Sequence, residues 1–243
     1  MKQFEYEPAM DSDLTAKQRS NSVRREAGLI PATINLGWRF TCITYMRIVH
    51  QLMVTGRDQL PATCPFVLIA NHCSHLDTLA LSASLPRWAR RNLYPLAAAD
   101  TFFDSPTSRL IASNLINALP VRRGKAMTHA ITDLRKRMTK PSGAYILYPE
   151  GTRSTDGTIG RFKPGLGMLV AETPVPVVPC HIHGAFQAWP RHRKLPQPRR
   201  IRVTIGTPIT FEQTSNNRAG WAQVAQTTQQ AIESMAHHHN KMR

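Results

Sequence analysis

From residue 66 onward the chain alternates short apolar runs with amphipathic, helix-like stretches, and this alternation restricts the fold more than any other feature. The segments 66–70, 93–98, 119–122, 143–148, 175–182 and 201–205 read as strands. Helical stretches are expected at 76–85, 107–118, 126–139 and 165–172, with a last helix over 221–235. Strands alternating with helices imply an α/β fold with a mixed, largely parallel central sheet flanked by helices. Pro176 and Pro179 lie within the strand at 175–182, which places that strand at a sheet edge or at a bulge. In such sheets ligands gather beyond the carboxyl ends of strands. The 243 residues suffice for one such domain and a short appendage.

The strand at 66–70 leads directly into Asn71-His72-Cys73-Ser74-His75-Leu76-Asp77. An imidazole acts as a base near neutral pH when a partner fixes its tautomer, and a carboxylate supplies that partner. His72 and Asp77 are about 140° apart on a continuous helix, so a helix alone does not bring them together. A strand-to-helix turn does. Ser74 is placed to cap the helix that carries Asp77. A second polar stretch, Tyr148-Pro149-Glu150-Gly151-Thr152-Arg153-Ser154, also follows an apolar strand. Arginine matches two phosphate oxygens at once, and a glycine lets backbone approach a ligand closely. Two further stretches, Leu119 through Arg122, Arg123 and Gly124, and Arg161-Phe162-Lys163-Pro164-Gly165, put cations at a strand end and before a helix start. Either position suits an anion.

Ahead of these motifs, residues 1–60 read as a polar segment followed by an amphipathic helix over 35–54, with residues 61–243 as the catalytic domain. Trp38, Cys42, Tyr45, Met46, Val49, Leu52 and Met53 share one face of that helix. Arg39 and Arg47 interrupt it, and a spanning helix needs roughly 20 largely uncharged residues. The helix therefore lies in a membrane interface or packs on the domain's own core. The formal charge of +16 favours anionic partners. The four cysteines, Cys42, Cys64, Cys73 and Cys180, show no paired spacing, so a reducing, cytoplasmic compartment is expected. His237 to His239 read as a frayed terminus.

The stretch Asn71 to Asp77 resembles the N-H-x-x-x-x-D signature of the PlsC-like glycerolipid acyltransferases. Leu119 to Arg122 is similar to that family's second block, although Pro120 and Val121 precede the arginine where an acidic residue is common. Pro149 to Ser154 with Phe162-Lys163-Pro164-Gly165 resembles the third block, and Val175 to Pro179 the proline-containing fourth. The blocks run in family order over roughly residues 65–210. The resemblance implies transfer of a fatty acyl group from a thioester to the free hydroxyl of a lysophospholipid. The acceptor is 1-acyl-sn-glycerol 3-phosphate or another lysolipid, such as a lyso-ornithine lipid. His72 is then the general base and Asp77 its support, with no acyl-enzyme. Arg153 and one of Arg122 and Arg123 bind the acceptor's phosphate, Glu150, Gly151 and Thr152 belong to the same pocket, and Lys163 is a further phosphate contact. The implied partners are a lysophospholipid, acyl-CoA or acyl carrier protein as donor, and a membrane surface at the cytoplasmic face. No cofactor or metal is required.

Two rival readings remain. His72, His75 and Asp77 with His181 and His183 hold metal-ligand types, but their order lacks the Asp-His of the common binuclear hydrolases. The basic tract 191–200, with Arg202, offers a phosphate-tracking patch, yet only Trp189 is at hand for base stacking, so no nucleic acid partner is expected. The same tract suits anionic lipid headgroups.

Overall fold

The computed structural model describes residues 11–15, 18–19, 22–25, 29–98, 112, 116–121, 127–139 and 143–241. In chain order the elements are α1 (Leu29–Ile48), β1 (Met53–Thr55), a 3-10 turn (Arg57–Gln59), β2 (Phe66–Ala70), α2 (Leu76–Ser84), α3 (Arg87–Arg91), β3 (Leu93–Ala98), β4 (Leu119–Val121), α4 (Met127–Met138), β5 (Ala144–Leu147), α5 (Gly165–Val170), β6 (Val177–His183), α6 (Ala185–Ala188), β7 (Arg202–Ile205) and α7 (Arg218–Lys241). The strands form one 7-stranded sheet in the order β1-β7-β6-β2-β5-β3-β4. Only the β6–β7 pair is antiparallel.

β2 runs through the centre, buried along its whole length. Successive strand residues face opposite sides of a sheet. Phe66, Leu68 and Ala70 accordingly join Met46 of α1 and Leu76 and Leu81 of α2 in one core. Val67 and Ile69 join Leu134 of α4, Leu166 of α5 and Val224 and Ile232 of α7 in the other. A strand covered on both faces carries no polar position, which explains its unbroken apolar run. Helix α7 crosses α5 closely enough that a Cβ on Gly167 would sit 2.4 Å from Trp221 Cα.

Several elements differ from the sequence reading. The helix expected at 35–54 begins at Leu29 and ends at Ile48. Leu52 and Met53 keep the helical phase, but Gln51 turns into the left-handed region at φ 43°. Met53 then donates its N–H to Ile201 O at 3.0 Å, and β1 pairs with β7. The strand expected at 175–182 begins at Val177, after Pro176, and is interior, between β7 and β2, and not at an edge. Pro179 fits there because its carbonyl side faces Gly206, whose N–H it accepts at 2.8 Å, just past the last residue of β7. A residue's N and O lie on the same side of a strand, so the missing donor falls where the ladder has ended. Helix α7 carries the backbone of His237 to His239 within its last turns, so this tail is helical and not frayed. Residues 22–25 dock on the domain, where Arg137 donates to Val23 O and Arg25 O. The helix expected at 107–118 falls largely outside the described residues. Among those described, no helix is long and apolar enough to cross a membrane.

Candidate active site

The turn after β2 is fixed from three directions. Asn71 donates its amide N–H to Ile182 O at 3.0 Å and accepts Ile182 N–H at 2.8 Å, tying the strand end to β6. His72 donates its backbone N–H to Glu150 Oε1 at 2.8 Å, and its carbonyl accepts Ser154 N–H at 2.7 Å. Ser74 donates its hydroxyl to Trp189 O at 2.9 Å and accepts Leu76 N–H at 3.2 Å, but the N-cap position of α2 falls to His75, one residue later than expected, without a side-chain cap bond.

Within this frame the strand-to-helix turn brings His72 and Asp77 together. The Asp77 side chain is fully buried in the first turn of α2. Its Oδ2 accepts His72 Nδ1–H at 2.9 Å and the N–H groups of Cys73 and Ser74, each at 2.8 Å. Hydrogen bonds to an ionised acceptor in a buried setting are strong. An ionised carboxylate only accepts, so Nδ1 carries the proton and Nε2 keeps a lone pair. The imidazole is 19% exposed and stacks on Tyr148 at 3.9 Å between centroids and 13° between planes. The Tyr148 hydroxyl meets Thr78 Oγ1 at 3.0 Å. The imidazole of His72 is thus set in direction by a carboxylate and in tilt by an aromatic face.

The loop after β5 holds the other half of the site. Glu150 is buried; its Oε1 takes the His72 N–H and its Oε2 the Gly160 N–H at 3.1 Å. Both oxygens therefore serve backbone donors, and burial raises the carboxyl above its ordinary pKa. Gly151 is left-handed at φ 71°, and Lys163 Nζ lies 3.0 Å from where a Cβ on it would stand. Lys163 also donates its N–H to Pro149 O at 2.9 Å, so the two parts of the third block lie side by side. Thr152 is exposed and Arg153 half-buried. Burial lowers the Arg153 pKa, as does neighbouring Arg191, while Asp77 opposes that shift. His75 is exposed at its edge, with its ring 5.4 Å from Trp189; partial desolvation by its surroundings and nearby Arg153 lower its pKa. Arg122 and Arg123 lie outside the described residues.

Three contributors carry little signal in the sequence: Tyr148 as the stacking partner, Gly160 as a donor and Trp189, whose carbonyl holds Ser74. Tyr148 is the one with a usable sign, an aromatic at the end of a buried strand beside the Glu150 motif. Next to this centre, residues of α1, α2 and β3, among them Trp38, Arg39, Cys42, Thr78, Leu79 and Leu93, line a small, partly open pocket of about 30 Å³. Thr78 links the pocket to Tyr148 and so to the His72 ring.

A family model described as Acyltransferase matches residues 51–183. The human 1-acyl-sn-glycerol-3-phosphate acyltransferase beta is 26% identical over 161 residues, which is 65% of this chain and 55% of that protein. A chloroplastic 1-acyl-sn-glycerol-3-phosphate acyltransferase of Brassica napus is 31% identical over 141 residues, covering 56% and 38%. The chain thus spans about half or less of the length of these relatives. The crystal structure of the 1-acyl-sn-glycerophosphate acyltransferase PlsC from Thermotoga maritima superposes with a TM-score of 0.63 at 21% identity, over 85% of this chain and 80% of that one. It shares the fold.

Proposed function

The chain belongs to the acyltransferase family, and we propose that it moves a fatty acyl group from an acyl thioester to the free hydroxyl of 1-acyl-sn-glycerol 3-phosphate, giving phosphatidic acid. The observation that carries this reading is the His72 Nδ1–Asp77 Oδ2 bond of 2.9 Å, which leaves Nε2 as an acceptor at the mouth of the site. The names of the relatives support the choice of acceptor.

In this mechanism the acceptor hydroxyl gives its proton to His72 Nε2 as its oxygen attacks the thioester carbonyl. Asp77 stabilises the imidazolium that forms. The tetrahedral intermediate then expels the thiolate, which takes the proton from the imidazolium and leaves as free thiol. General base catalysis of this kind contributes about 10²–10⁴-fold. Cys73 takes no covalent part: burial and the nearby Asp77 carboxylate raise its pKa, so it stays a thiol. Arg153 and Lys163, with Arg122 or Arg123 in the family's second block, hold the acceptor's phosphate. The donor is acyl-CoA or acyl carrier protein.

The acceptor is a lipid, so the protein works at a membrane surface, at the cytoplasmic face. Helix α1 supports this, since Leu36, Phe40 and Ile48 are 63%, 73% and 71% exposed beside Arg47. Such a face suits an interfacial helix. The cysteines are free thiols, in keeping with a reducing compartment.

The test is an acyltransfer assay with purified protein, oleoyl-CoA or oleoyl acyl carrier protein, and lysophosphatidate. Thiol release that needs both the acceptor and His72 is the expected result. Silence with both donors across a panel of lysolipids would overturn the reading.

A further inference from the structure

The segment between α6 and β7 carries Arg191, Arg193, Lys194, Arg199 and Arg200. Arg193 is half-buried and the other four are exposed; Leu195, in their midst, is 74% exposed. Among the described residues no carboxylate lies within ion-pair distance of any of these five cations.

The segment is nonetheless fixed. At its start Trp189 accepts the Ser74 hydroxyl and donates its indole N–H to Arg193 O at 2.9 Å. Gln197 donates its N–H to Ala188 O at 2.8 Å, closing the loop on itself. At its far end Arg199 O accepts Nδ1–H of the buried His50 at 3.0 Å, and His50 Nε2 faces the Tyr45 hydroxyl at 3.1 Å. Arg200 donates to Gln51 Oε1 at 3.1 Å. One end of the loop is therefore bound to the turn that carries His72, and the other to the link between α1 and β1, whose flanking residues Ile48 and Met53 are exposed.

Cations held in place lose little freedom when they meet anions. An anionic bilayer offers headgroups to the cations and an apolar layer to Leu195 and Ile48, whereas a nucleic acid backbone offers only the first. We propose that the loop at 191–200 docks the protein on an anionic lipid surface, with Leu195 entering the headgroup boundary. The loop then sets the height of the His72 turn above the bilayer. That last step rests on the acyltransfer reading; the docking does not.

The experiment is co-sedimentation of the full chain with phosphatidylcholine vesicles, with and without phosphatidylglycerol. It compares wild type, Lys194→Ala/Arg199→Ala and Leu195→Ser, with melting curves to confirm folding. Each cation near an anionic surface strengthens binding about fivefold. The double variant is expected to bind anionic vesicles about thirtyfold more weakly, at unchanged affinity for neutral ones. Leu195→Ser is expected to weaken binding to both kinds of vesicle. Wild-type partitioning by both folded variants would overturn the proposal. So would normal vesicle binding by the double variant together with a raised KM for acyl carrier protein, which would make the loop a docking site for an acidic protein. Vesicle binding is read without turnover, so a failed acyltransfer assay leaves it standing or falling separately.

Discussion

The turn at 71–77 and the loop at 191–200 are neighbours joined through Ser74 and Trp189, yet they treat polar groups in opposite ways. In the turn every oxygen of Asp77 and Glu150 is buried against a donor, and Asp77 Oδ2 alone accepts three N–H groups. In the loop four exposed cations and the half-buried Arg193 have no carboxylate within ion-pair distance among the described residues. A buried carboxylate is tolerable only when its hydrogen bonds are made within the fold, so the turn is complete without a ligand. A solvated cation needs no internal partner and keeps its full attraction for an external anion. In the proposed function the first region holds a base still, and in the proposed docking the second meets a surface.

That contrast breaks first at His72. His72→Ala is expected to lower kcat by about 10²–10⁴-fold with little change in melting temperature, because the Asp77 carboxylate keeps its two backbone donors. Stopped assays on the folded variant check this, and near-normal turnover would remove the mechanism. Arg153→Ala comes next. Loss of a charge-assisted bond of about 1.5–3 kcal/mol predicts a roughly 10–100-fold higher KM for lysophosphatidate, with the donor KM unchanged. An unaltered acceptor KM would place the phosphate elsewhere.

Glu150 gives a smaller effect with a defined sign. Glu150→Ala leaves the His72 and Gly160 N–H groups without their acceptor and is expected to cost about 1–3 kcal/mol. Burial holds the folded carboxyl above its ordinary pKa. Its contribution to stability is then fullest below that ordinary value and declines as pH rises through the folded one. The stability gap between wild type and variant should therefore narrow from acid to neutral pH in denaturant titrations. A gap that widens over that range would mean the carboxyl is better held as an anion than its burial implies.

The layered fold was legible in the sequence because strands buried on both faces leave unbroken apolar runs, as Phe66 to Ala70 do. The His72–Asp77 pair was legible because five-residue spacing excludes one helix face and so demands a turn. The end of α1 was not, since Leu52 and Met53 continue the helical phase and only the backbone of Gln51 breaks it. The interior position of β6 was hidden because the rule against proline assumes a donor is needed at that point, and at Pro179 the neighbouring strand has already stopped. The sequence assigns Glu150 to the phosphate pocket without naming its partners. Its partners are backbone N–H groups that no side-chain pattern records. The stacking of Tyr148 on His72 depends on how β5 and β2 lie side by side, a register set across the sheet and not along the chain.

Tyr148 yields the smallest and sharpest of the expected effects. Its ring supports the imidazole, and its hydroxyl reaches Thr78 on the helix that carries Asp77. Tyr148→Phe keeps the stacked face and removes only that bond, leaving Thr78 Oγ1 without it. A stability loss of about 0.5–1.5 kcal/mol is expected, by thermal or urea unfolding, with kcat within a few-fold of wild type. Tyr148→Ala removes the face as well and should lower kcat further while leaving the acceptor KM alone, since nothing of Tyr148 touches Arg153 or Lys163 in the hydrogen bonds that fix it. If Phe and Ala lower kcat equally, the hydroxyl bond and not the stack keeps the base in line, and α2 is then held in place through Thr78 as much as through Asp77.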